Sequence, residues 1–284
     1  MAKTQDIKRR IRSVRNTMQL TRAMKMVAAA KLRRAQERMM AARPYAHRAL
    51  RVLRSLASRA NPEEHPLLAS HGDRRIELVV VTGDKGLCGA FNSGIIRAAE
   101  AFAYGYSGHD LTVNAVGKKG REHFARRMNV TREWVDVFRV VEFSKAKEIA
   151  TDIIERYKAQ EVDSIHLVFN EFKSAIQAKP IVQQLLPIEP AELEAGETSE
   201  EYIYEPSAGE ILEALLPLYV ESQVFHAMLE SAAAEHAARM TAMDAATSNA
   251  AELIDSLTLT MNRVRQSSIT TEIIEVVSGA EALG

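Results

Sequence analysis

The sequence is short of several residue types, and each shortage excludes something. Cys88 is the only cysteine in 284 residues. A disulfide scaffold is thereby excluded, and the count suits a reducing compartment. Aromatic residues reach only 6%, thin for a chain that would depend on one large compact core. No run of eighteen apolar residues occurs, which excludes a membrane-spanning helix. The opening MAKTQDIKRRIRSVRN has no apolar stretch behind its basic residues, so it does not read as a secretory signal. It leads straight into a regular helical pattern, which argues against a cleaved transit peptide. Glycine is absent before Gly72, and Pro44 is the only proline before Pro62.

Acidic residues are nearly missing from one end and basic residues from the other. Residues 1–59 carry 17 Lys and Arg against Asp6 and Glu37, a charge of +15. Residues 186–284 carry 18 acids against Arg239, Arg263 and Arg265, a charge of −15. The stretch between them is neutral. A basic arm can mark a nucleic-acid or membrane contact. The matched opposite charge supports a second reading, in which the two ends pair with each other.

Both ends carry heptads. Ile7, Ile11, Val14 and Met18 open an alternation of four and three that runs through Leu32 and Met39 to Leu56, broken only by Thr21 and Lys25. Leu229, Ala233, His236, Met240 and Met243 continue a like pattern through Thr247 to Val264. A period of 3.5 sustained this far predicts coiled-coil helices. Pro44 and Pro217 are expected to bend or break them, and Pro217 to delay the start of the second. Ser207 and Glu210 form a capping-box pattern for that second helix.

The middle has a different texture. Strands are predicted over 76–82, 111–116, 164–169 and 181–187, with helices over 93–104, 118–127 and from Ser144 to about residue 158. Ser144 is read as a helix cap. The alternation predicts βαβ units and a mainly parallel sheet. The fold class expected is α/β plus coiled coil: a Rossmann-like central domain with an antiparallel two-helix coiled coil made from the chain termini. The divisions are a helix over 1–60, a linker over 61–75, the α/β domain over 76–190, an acidic loop over 191–206 and a helix over 207–284.

Length sets the arrangement. A helix of about sixty residues is roughly 90 Å long, whereas a compact globule of this chain would be roughly 50 Å across. The helices are therefore expected to project. Levelling residues 59 and 207 at the base puts position n opposite 266 − n, so about eighteen C-terminal residues overhang as a single helix. That overhang carries Ile269, Ile273, Ile274, Val276 and Val277 on more than one face. Such a helix needs an enclosing partner.

Few residues suggest chemistry. Gly83, Gly86 and Gly89 in TGDKGLCGAFN lie at G-x-x-G-x-x-G spacing, which matches neither phosphate-loop pattern. A tight turn after a strand competes with a nucleotide loop, and Cys88 reads as a small packing residue. The histidines have no metal-ligand spacing, and no Ser/His/Asp or Cys/His arrangement stands out. No catalytic, cofactor-binding or metal residue is expected.

Two terminal stretches carry a specific likeness. IKRRIRSVRNTMQLTRAMKMVAAAKLRRAQ and ITTEIIEVVSGAEA, with TGDKGLCGAFN and AARMTAMDAATSNA between them, resemble the gamma subunits of F-type ATP synthases. The resemblance implies a non-catalytic central shaft whose rotation drives the catalytic beta subunits through their conformations. It implies one copy per three alpha and three beta subunits, contacts with epsilon and the membrane ring of c subunits, and no nucleic-acid partner. It points to Met24, Arg239, Gln266, Thr270 and Glu272, with Arg265 beside them, as contacts to the beta subunits. No insertion carries paired cysteines, so the thiol switch of the plant chloroplast form is not implied. A bacterial protein peripheral to the cytoplasmic side of the cell membrane is expected. Two other classes remain: a nucleotide-binding α/β enzyme with coiled-coil arms, and a basic-arm nucleic-acid binder.

Overall fold

A computed structural model of the chain describes residues 2–57, 65–174, 177–188 and 208–281. Its order is α1 (Ala2–Ala57), β1 (Arg75–Val81), α2 (Phe91–Gly105), β2 (Asp110–Val116), α3 (Lys118–Phe124), β3 (Asn129–Trp134), α4 (Phe143–Lys158), β4 (Ser164–Phe172), β5 (Ala178–Leu186) and α5 (Ala208–Glu281). Two compact units result: Ala29–Ala238, and Met1–Ala28 with Arg239–Gly284. The observed class is the α/β plus coiled-coil one.

The larger unit holds a five-stranded sheet ordered β3-β2-β1-β4-β5. β1 lies parallel to β2 and β4, and β2 parallel to β3. β1 reads Arg75–Val81, RIELVVV, and is buried after its first residue, as a strand covered on both faces must be. Ile149, Ile153 and Tyr157 of α4 pack into the core together with Leu212, Leu216, Val220 and Val224 of α5. The spacing of four along α5 keeps these side chains on one stripe.

Several expectations need correction here. β3, NVTREW, went unread because this edge strand is half exposed and carries little of the apolar signal. β5 pairs antiparallel with β4, so the sheet is mixed, though with three of its four pairings parallel it is mainly parallel as expected. Five residues separate them, too few for a crossover. Ser144 does not cap α4, which starts at Phe143 with Glu142 before it and no side-chain cap. Pro217 neither breaks α5 nor delays its start. The buried Leu212, Leu216 and Val220 hold the surrounding turns in place, and that packing outweighs one missing hydrogen bond. Pro44 likewise lies within α1 rather than at its end. Ser207, and the acidic loop at 191–206, lie outside the described residues.

Two ion pairs brace the sheet. Asp163 accepts from the Arg75 side chain at 2.5 Å and from the Arg75 amide at 2.8 Å. Arg156 reaches the buried Glu77 and also Glu161. Burial pushes the Glu77 carboxyl up and Arg156 opposes it.

In the smaller unit the start of α1 runs antiparallel to α5. Thr21 Oγ1 lies 2.8 Å from Thr247 Oγ1, and Lys25 Nζ donates to Asp244 at 2.5 Å. Thr21 and Lys25 are the two residues that break the apolar series of α1. They are the polar positions at which the seam is paired. A buried polar contact fixes register where apolar knobs alone would allow slippage. The observed register is two to three residues beyond the expected 266 − n.

Candidate partner-contact site

The expected contact residues fall into two patches of the smaller unit. Met24 is half-buried beside the Thr21 and Lys25 pairings. These place it level with the region near Asp244, about one and a half turns along α5 from the half-buried Arg239. The second patch is the end of α5. Arg265, Gln266, Thr270 and Glu272 are all exposed there. Thr270 Oγ1 donates back to the Gln266 carbonyl at 3.0 Å, which leaves its lone pairs facing outward. Twenty residues separate Asp244 from this patch, about 30 Å of helix, so the structure does not join the two groups.

The apolar residues of the tip are also exposed: Ile269 at 49%, Ile273 and Ile274 at 58%, Val276 at 72% and Val277 at 54%. Among the described residues, none beyond Ser268 is buried or half-buried. Isolated exposed apolar side chains are ordinary, but five within three turns mark an interaction surface. Further apolar residues are exposed on the paired helices: Leu20, Met26 and Val27 on α1, and Leu253 and Leu259 on α5. Met26, which reads from sequence as a packing residue, is among them; all lie off the seam, where a heptad pattern gives no signal. In the larger unit, a cleft of about 150 Å³ is lined by Lys31, Arg34, Arg38 and Arg139 over Leu229 and Ala232.

The glycine loop after β1 is a built turn. Gly89 and Leu87 take positive φ, 54° and 61°. Cys88 is buried, within 3.3 Å of the Asn92 amide nitrogen. The donors that could hold a phosphate at the start of α3 are taken. The Lys118 amide goes to Asp84 at 3.0 Å, that of Lys119 to the Gly83 carbonyl at 3.1 Å, and that of Gly120 to Thr82 Oγ1 at 2.8 Å. Asp84 also accepts from the amides of Asp136 and Phe138. In doubly wound sheets ligands enter where the strand order reverses, here between the ends of β1 and β4. That crevice is occupied by α5. Phe172 N donates to Glu230 at 2.5 Å and Asn170 N to Ser231 at 3.4 Å. A Cβ on Gly83 would lie 3.1 Å from the Glu235 carboxylate. The geometry fits the turn reading, and a nucleotide would have to displace the helix.

Comparisons agree along the whole chain. A family model described as ATP synthase matches residues 3–283. The chain is 53% identical over 282 residues to the ATP synthase gamma chain of Solibacter usitatus, covering 98% of both. It is 48% identical over 285 residues to that of Geobacter metallireducens, covering 100% of this chain and 99% of the relative. A chain from the central stalk and c-ring structure of Tetrahymena thermophila mitochondrial ATP synthase superposes with a TM-score of 0.62 at 27% identity, over 80% of this chain and 99% of that one. A rotor chain of Euglena gracilis mitochondrial ATP synthase shares the fold, with a TM-score of 0.67 at 18% identity, over 94% and 99%. With likeness running from end to end, the chain belongs to the family of ATP synthase gamma chains, the non-catalytic subunit of the rotor's central stalk.

Proposed function

We propose that the end of α5 turns inside a sleeve formed by three alpha and three beta subunits, with one copy of this chain per ring. The observation that carries this is the exposure of Ile269, Ile273, Ile274, Val276 and Val277 around the tip. Apolar side chains on several faces of one helix need a surrounding surface rather than a single flat partner. Arg265, Gln266, Thr270 and Glu272 then meet the beta subunits at the tip, and Met24 and Arg239 meet them lower on the paired helices. Polar contacts scattered over a slim helix pair favour one orientation without locking it. Residues 1–60 and 207–284 form the shaft in this reading. Residues 76–190, with the linker at 61–75 and the acidic loop at 191–206, form the foot that joins epsilon and the membrane ring of c subunits. No described helix is long and apolar enough to cross a membrane. Attachment is through partners, on the cytoplasmic side of the cell membrane.

A cross-linking experiment tests the sleeve. The only native cysteine, Cys88, is buried, so an introduced thiol reports its own surroundings. Ile274→Cys in the assembled complex is expected to link to alpha or beta subunits with a short bifunctional reagent. Tyr104→Cys on α2, at a position 85% exposed, is expected to give no such link. Equal linking from both positions, or none from Ile274→Cys in an active complex, would overturn the placement.

A further inference from the structure

Glu230, Ser231 and Glu235 are polar side chains on the face of α5 turned into the sheet unit, with exposures of 3%, 0% and 4%. Around them α5 is otherwise small and apolar: Ala227, Met228, Leu229, Ala232, Ala233 and Ala234 are all buried. Burying two carboxylates in such a stretch is costly unless each finds donors. Glu230 finds the Phe172 amide at 2.5 Å and His226 Nε2 at 3.3 Å. Ser231 Oγ accepts from the Asn170 amide at 3.4 Å. Both amides sit at the end of β4, past its ladder with β1, which stops at Val168. Glu235 rests against Gly83 at the end of β1, and the Gly83 amide is held by Asn92 at 2.9 Å. Two hydrogen bonds and one close packing contact thus tie one helix face to the ends of the two central strands.

We propose that this polar joint pins the rotational register of α5 on the sheet, and that torque passes between sheet and helix through it. The proposal rests on the rotor reading and names its joint. Apolar packing resists rotation poorly, because Leu216, Val220 and Val224 can exchange one apolar neighbour for another. The polar contacts cannot. Turning α5 by one residue, about 100°, would withdraw Glu230 and Ser231 from their amides and leave a buried carboxylate without donors. The three side chains are positioning residues. Nothing reacts at them.

The test uses the complete membrane-embedded complex carrying Glu230→Met with Ser231→Ala. ATP-driven proton pumping per ATP hydrolysed is expected to fall at least about five-fold, the low end for losing two buried hydrogen bonds. The angular variance of a single-molecule rotation probe at its dwells is expected to rise above that of the wild type. Glu230→Gln keeps a carbonyl acceptor and should stay near wild type in both readouts. Val224→Ala, which loosens apolar packing alone, should lower thermal stability yet leave pumping per ATP intact. The proposal is overturned if the double variant matches wild type, or if Val224→Ala uncouples as strongly. Should the double variant not assemble, Ser231→Ala alone decides: raised variance supports the pin and unchanged variance overturns it. A wild-type complex that hydrolyses ATP without pumping would instead overturn the rotor reading.

Discussion

Asp163 shows how far one side chain can be followed. It is buried at the start of β4, and the Arg75 guanidinium holds its carboxyl below the ordinary value of 3.8. The folded state therefore releases this proton more readily than the unfolded chain does. The resulting stability is complete above pH 3.8 and is lost as pH falls through the lower folded value. Asp163→Asn should lower the melting temperature by a constant amount from pH 7 to pH 5, and the gap should close in more acid solution. A gap independent of pH in thermal melts would refute the assignment. His166 works with the opposite charge. Burial lowers its pKa from 6.5, so the unfolded chain takes up the proton first. This group should weaken the fold as pH falls below 6.5, and His166→Gln should flatten that part of the stability profile. These residues could not be read from sequence, because Asp163 and Arg75 are 88 positions apart and only the sheet brings them together.

At the scale of elements, periodicity was the readable signal and partners were not. The seam of α1 was evident from its heptads, and so were Thr21 and Lys25 as interruptions. Their meaning appeared only with Thr247 and Asp244 opposite. Changing Thr21 and Thr247 together to Val should be tolerated in stability while loosening register, since a matched apolar pair replaces a hydrogen-bonded one. Distance measurements between spin labels on α1 and α5 would detect it as a broadened distribution, and an unchanged one would contradict the role. Pro217 shows the reverse case, a strong local signal overruled by packing. Replacing it with Ala should stabilise the sheet unit by roughly 1–3 kcal/mol, whereas Leu216→Ala next to it should cost roughly 2–5 kcal/mol. Chemical denaturation separates the two. Strand β3 was lost to sequence reading for a physical reason, since half-exposed edges carry weak alternation. The filled crevice was equally hidden. Glu230 looks like any acid on an acidic helix until the Phe172 amide is placed beside it.

For the whole molecule, the sequence carried more than its fold. Opposite charges of +15 and −15 at the two ends of the chain, and the apolar C-terminal residues of α5, call for specific company. Exposed pairs such as Lys25–Asp244 add little stability each, so the charge pattern acts on choice of partner and orientation. The family assignment makes the chain a rotor component with no catalysis of its own, and the occupied crevice is consistent with ATP chemistry lying on other subunits. Ending the chain after Ser268 should leave thermal unfolding of the sheet unit unchanged, because residues 269–280 are exposed. ATP synthesis by the assembled enzyme should fall. A sheet unit destabilised by that truncation would contradict the division described above.

The most direct measurement is reconstitution of the full chain with its cognate alpha and beta subunits, read by native mass spectrometry and ATPase assay. The account predicts one discrete, active complex with a single copy of this chain in a ring of three alpha and three beta subunits. A folded chain that fails to join a competent ring, or joins it in more than one copy, would contradict the central-shaft reading.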